Sequence, residues 1–222
     1  MRKLLEIGGF VAAVILIAFG VVAVVLGVNG RSTVSSSIKQ EKIVGSGDMT
    51  PAAIAKEAKD AKLPASISLP TCNVAGKAIE TGSQARCFAR YMRIHTLEAT
   101  GGFTYAQMGR FQALPNTPKS ELAIGGGTSN DTWAVKANGR PVDNGLRNLW
   151  VTETALTTAL NTSYMAERLS IFGLVVGVAL LLAGIGFGVL AVGGTLRDAE
   201  PALKFFGARS PESGGRPHAP AV

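Results

Sequence analysis

The side chains best suited to redox, acid–base or metal chemistry are few: Cys72, Cys87, His95 and His218. The cysteines stand 15 apart, too far for a C-x-x-C redox or zinc motif. An even pair lying between two apolar runs reads instead as a disulfide, the alternative being two buried thiols. Closing a loop of that length is worth about 3 kcal/mol on the chain-entropy account. His95 and Glu98 are three residues apart and share a face if the segment is helical, the spacing of a carboxylate-bridged metal motif. A metal there needs ligands from elsewhere, and the only other histidine, His218, lies in a Pro- and Gly-rich tail. The expectation is therefore a surface or hydrogen-bonded histidine, with no metal and no cofactor.

Other motifs fail on their neighbours. Gly76-Lys77 lacks the earlier glycine and following Ser or Thr of a phosphate loop. Gly125-Gly126-Gly127 precedes no helix that could add its N-terminus to a phosphate cradle, so a flexible loop is expected. Nucleophile elbows, H-E-x-x-H and dinucleotide fingerprints are absent from the sequence. A Ser-His-Asp arrangement around His95 is not pointed to by any local pattern. No catalytic residue and no small-molecule substrate are identified, and the chain is not expected to be an enzyme.

The elements that must position these residues begin with two uncharged apolar runs, Ile7 to Val28 and Leu169 to Leu196. Each exceeds the roughly 20 residues that cross a hydrocarbon core, whereas soluble buried helices are usually shorter. The chain divides accordingly: 1–6 a basic head, 7–28 transmembrane helix 1, 29–148 an extracytoplasmic domain, 149–169 a helical stalk, 170–196 transmembrane helix 2, and 197–222 a disordered cytoplasmic tail. The first run is longer than a signal-peptide core and is followed by no A-x-A-like site, so it is expected to remain as an anchor. Basic residues nearly tie around it. Around the second, Arg168 precedes while Arg197, Lys204 and Arg209 follow, which places both termini in the cytoplasm. Leu203, Phe205 and Phe206 are expected at the inner membrane surface.

Neither run contains an ionisable residue, which removes the usual mark of an ion or proton pathway. They do contain GxxxG pairs, Gly173 with Gly177 and Gly184 with Gly188, read as a helix-packing face or as the general tolerance of membrane helices for glycine. The net charge of +7 is spread along the chain. Arg86, Arg90 and Arg93 form one candidate basic patch, too little for a nucleic-acid protein. The expected partners are the lipid bilayer and either a second copy or an envelope protein.

Between the runs, Val34 and Ile38 suggest a short juxtamembrane helix ending at Gly45-Ser46-Gly47. Thr50-Pro51 opens a helix over Ala52 to Lys62, and Gly101-Gly102 closes another over Ser83 to Thr100. Phe103 to Phe111 alternates as a strand does, with a helix as the alternative, residues 113–131 form a loop, and Asn138-Gly139 marks a hairpin whose second arm is held to an edge by Pro141. In the stalk, Leu149, Leu156, Leu160 and Ser163 or Tyr164 recur at helical spacing with Glu153 and Glu167 among them. Its threonines weaken helix propensity, so contact with the Ser83 to Thr100 helix or a neighbouring subunit must support it.

The basic head with its apolar run, MTPAAIAKEAK, ARCFARYMRIHTLEATGGFTYAQMGR and NLWVTETALTTALNTSYMAERLSIFG together resemble an uncharacterised family of two-transmembrane-span membrane proteins of actinobacteria. Some relatives carry the label aromatic ring-opening dioxygenase, which implies an iron held by two histidines and a carboxylate; one histidine lies between the spans here. The resulting expectation is a mainly α membrane protein in the plasma membrane. Two transmembrane helices bracket a small α+β extracytoplasmic domain with one hairpin, and a long helix continues into the second span. The domain serves as a structural or interaction module in the cell envelope. An accessory subunit of an envelope enzyme or transporter, and an enzyme with a site of another kind, are the alternatives.

Overall fold

A computed structural model describes residues 2–193. Arg197, Lys204 and Arg209, on which the orientation rests, lie outside the described residues, as do Leu203, Phe205, Phe206, His218 and the tail. The described chain is mainly helical: α1 (Arg2–Gln40), α2 (Pro51–Asp60), α3 (Gly82–Ala99) and α4 (Gly145–Val192), with a hairpin of β1 (Lys136–Ala137) and β2 (Arg140–Pro141) before α4. Its described residues separate into two compact units, one of 2–24 with 175–193 and the other of 25–174.

In the first unit α1 and α4 run antiparallel. A Cβ built on Gly20 would lie 2.9 Å from the Gly177 carbonyl oxygen; one on Gly177, 2.9 Å from the Gly20 carbonyl oxygen; one on Gly184, 3.0 Å from the Ala13 carbonyl oxygen. Contacts that step forward along one helix step backward along the other. The close-packed positions, Ala13 and Gly20 against Gly177 and Gly184, are seven apart on each helix, the repeat of a two-helix supercoil seam. Residues without Cβ atoms let the backbones touch. Of the four GxxxG glycines, Gly177 and Gly184 line the seam, Gly188 approaches Ala13 at 3.8 Å, and Gly173, half-buried, belongs to the other unit. The outer faces are apolar and uncovered, with Phe19 65% and Leu182 66% exposed.

The second unit has α3 at its centre. Thr81 and Gln84 form a capping box at its N-terminus, while Ala85, Tyr91, Ile94 and Leu97 enter the core. Thr50 caps α2 by accepting from the Ala53 amide, Pro51 takes the first helical position, and Ile54 and Ala58 are buried. No break separates the first apolar run from the Val34–Ile38 segment. One helix carries both as far as Gln40: no proline interrupts the stretch from Asn29, its single glycine, Gly30, is tolerated within the helix, and Ile38 is buried in the core. Residues 43–45 then pair with 75–79, the Ile79 amide donating to the Ile43 carbonyl at 2.9 Å.

Phe103 to Phe111 does not form a strand. A 3₁₀ turn spans Tyr105–Gln107, with Gln107 Oε1 accepting from the Thr104 amide, and Tyr105 is exposed, so the alternation does not mark a buried face. Extended backbone begins at Gly109 and forms isolated bridges rather than a sheet, including Phe111 with Thr128 and with Asp143. Within the triglycine Gly125 and Gly127 are closely packed, while Gly126 is open to solvent. Gly126 and Gly127 take positive φ, and a Cβ on Gly125 would come within 2.8 Å of both Met108 and Phe103 side-chain atoms. The Asn138-Gly139 turn has φ of 51° and 75°, both left-handed as a two-residue hairpin loop requires, and each strand is two residues long.

The stalk helix starts at Gly145, earlier than Leu149, where Asn144 Oδ1 accepts from the Leu146 amide. Its inward stripe is Trp150, Glu153, Leu160 and Glu167, whereas Leu149 and Leu156 face outward. Contact with α3 supports it: Gly82 abuts the Ser163 carbonyl and Tyr164 Cα, a Cβ there lying 2.8 Å from either. Glu167 Oε2 accepts from the Ser83 amide at 3.0 Å and the Ser83 hydroxyl at 3.2 Å. A buried carboxylate thus meets the positive end of α3 and satisfies a donor that the helix leaves orphaned. Glu167→Ala leaves that amide unpaired and should lower unfolding stability by about 1.5–3 kcal/mol, with Glu167→Gln costing less. Urea unfolding of the detergent-solubilised protein would show it; equal midpoints for wild type and Glu167→Ala would contradict the assignment.

Candidate functional site

The disulfide joins Cys72 to Cys87, fastening the irregular segment before α3 to the first turns of that helix. One helical turn on, the buried Tyr91 donates its hydroxyl proton to the Cys72 carbonyl, and burial raises the phenol above its ordinary range. The three arginines of the basic stripe are each engaged within the unit: Arg86 lies over Tyr164 at 4.5 Å, Arg90 donates to the Leu69 carbonyl at 3.2 Å, and Arg93 lies over Trp150 at 5.2 Å. Arg168 also covers Tyr164, at 5.0 Å. Bonding to Arg168 is the main reason the Tyr164 phenol is held below its ordinary range; burial opposes the shift, and Arg86 adds to it.

The densest grouping of chemistry lies around His95. The apolar faces of α2 and α3 meet at Ile54, Ala58, Tyr91 and Ile94, and Glu57 and His95 flank that contact from either helix. The turn before α2 supplies a third group. Met49 is buried, and the Ser46 hydroxyl donates to Asp48 Oδ1, leaving Oδ2 toward the imidazole. His95 Nε2 lies 3.8 Å from Asp48 Oδ2, and Nδ1 lies 3.5 Å from Glu57 Oε2 and 3.8 Å from Glu98 Oε2. Glu57 Oε2 and His95 Nε2 are wholly shielded and have no hydrogen-bond partner. Burial raises the Glu57 carboxyl above the usual carboxylate range; His95 opposes this, and the neighbouring Asp48 and Glu98 charges add to it.

His95 and Glu98 were legible as a pair from their spacing. Asp48 and Glu57 were not: each is ordinary among the surface acids of its segment, and only the packing of α2 on α3 brings them to the imidazole. A second feature lies elsewhere in the same unit, an apolar groove of about 560 Å³ lined by Ile38, Ile43, Phe88, Met92, Leu156 and Leu160 among others.

Fold and site together define a mainly helical protein with two helices long and apolar enough to cross a membrane and a disulfide-closed unit bearing one histidine among carboxylates. Comparison with family models, with curated proteins and with solved structures finds no match.

Proposed function

We propose that this is a two-span plasma-membrane protein, both termini cytoplasmic, that holds its disulfide-closed segment on the outer side as a structural or interaction module of the cell envelope. The observation that carries the reading is the exposure of the paired apolar helices. Only 17% and 11% of their most apolar windows is buried, far less than a core helix of a soluble fold buries, which supports a lipid-facing role. Side chains such as Phe10, Phe19, Leu182 and Ile185 point away from the pair, and apolar surface of that extent calls for lipid. The disulfide supports an oxidising compartment for the segment between the helices. The groove beside Phe88 and Met92 supports the interaction role, because contiguous apolar surface on a folded unit is what protein partners cover.

In intact cells, a membrane-impermeant maleimide should label Cys72 and Cys87 only after an impermeant reductant is added. Labelling that requires permeabilisation would reverse the orientation. Crosslinking in native membranes should capture an envelope protein or a second copy, and Met92→Asp should lose it. Recovery of uncrosslinked monomer alone would sink the interaction role.

A further inference from the structure

We infer that Asp48, Glu57 and His95 form a binding site for a first-row divalent cation of the zinc or manganese kind, tying the turn before α2 to α2 and α3. The three residues come from three separate segments, yet each offers one donor atom and all three atoms lie within 4.8 Å of one another. An ion centred among donors so spaced is at most about 2.8 Å from each. That is about 0.7 Å beyond the 2.0–2.2 Å bonds of zinc to imidazole and carboxylate, a distance side-chain rotation alone covers.

The environment points the same way. Two of the candidate donors, Glu57 Oε2 and His95 Nε2, are fully shielded with their hydrogen-bonding capacity unspent. Buried polar atoms are normally partnered, and an ion supplies a partner to both at once. Two carboxylates with a neutral imidazole carry the charge that a dication cancels. With Nε2 as the donor, Glu98 Oε2 lies 3.8 Å from Nδ1 and can orient the ring from outside the three donors, as metal-bound histidines usually are oriented. Glu98, one helical turn beyond His95, adds a further oxygen at the same edge. Nitrogen and oxygen donors without thiolate suit zinc and manganese rather than soft ions.

The test is calorimetric titration of the full-length protein in detergent, stripped with EDTA, using Zn²⁺ and Mn²⁺ as probes. One ion per chain should bind with a dissociation constant of micromolar or below, and His95→Ala and Glu57→Gln should each weaken binding by at least about 100-fold, beyond the 10–100-fold typical of supporting residues. Metal should raise the melting temperature of the wild type but not of either variant. Glu57→Gln keeps the side-chain shape and removes one of the crowded acids, so its metal-free form should melt no lower than metal-free wild type, which separates lost binding from lost fold. Absence of stoichiometric binding to the wild type, or binding by both variants within about threefold of it, would overturn the site.

Discussion

Replacing Cys72 and Cys87 together by serine is expected to cost the second unit about 3 kcal/mol, given a sequence separation of 15. The segment before α3, residues 63–80, forms no helix or regular strand, and its end pairs with residues 43–45. Arg90 donates to Leu69, Tyr91 donates to Cys72, and Pro70 and Val74 are buried. Without the crosslink the unfolded chain regains its freedom while those contacts stay as they are, so the midpoint of urea unfolding falls. Reduced wild type should behave like the double variant, and cleavage by a protease should begin within 63–70. An unchanged midpoint on reduction would show that packing alone holds the segment.

A second large effect is expected at the seam between α1 and α4. A leucine at position 177 must find room where a single Cβ already meets the Gly20 carbonyl oxygen and the Val24 amide within 2.9 Å. Backbone cannot move aside as a side-chain end can, so the helices separate or re-register, a penalty at or above the 1–3 kcal/mol of ordinary overpacking. The readout is a crosslink. A Cβ on Gly188 lies 3.8 Å from the Ala13 Cβ, the usual separation across a disulfide. Ala13→Cys with Gly188→Cys should therefore oxidise within one chain in membranes, leaving no extra thiol for alkylation and mass measurement. Adding Gly177→Leu should restore both thiols. If the pair stays reduced, or links only between chains, the antiparallel pairing is wrong.

Cooperation between the two helices also decides which of the small residues in one span make the closest contacts. GxxxG is a four-residue interval within a helix, but the positions that touch are chosen by the partner. Ala13 and Gly20 select Gly177 and Gly184 because both helices place small residues seven apart. The stalk shows the same limit: leucines at 149 and 156 fit helical spacing, yet Trp150, Glu153 and Glu167 turn inward, because α3 offers Glu167 an N-terminus and its arginines the rings of Trp150 and Tyr164.

By itself the sequence determined whatever is summed over neighbouring residues. Two uncharged apolar runs specify two long apolar helices; Thr50-Pro51 specifies where α2 begins; Gly101-Gly102 ends α3; Asn138-Gly139 specifies the hairpin turn. These depend on hydropathy, capping and backbone sterics, which act within a few residues. Tertiary structure alone decided which faces meet. It brought Asp48 and Glu57 to His95, Glu167 to Ser83, and the glycines of one apolar helix against those of the other. The physical reason is that packing, not spacing, sets proximity between separate segments, so residues that meet from a turn and two helices leave no local pattern to read.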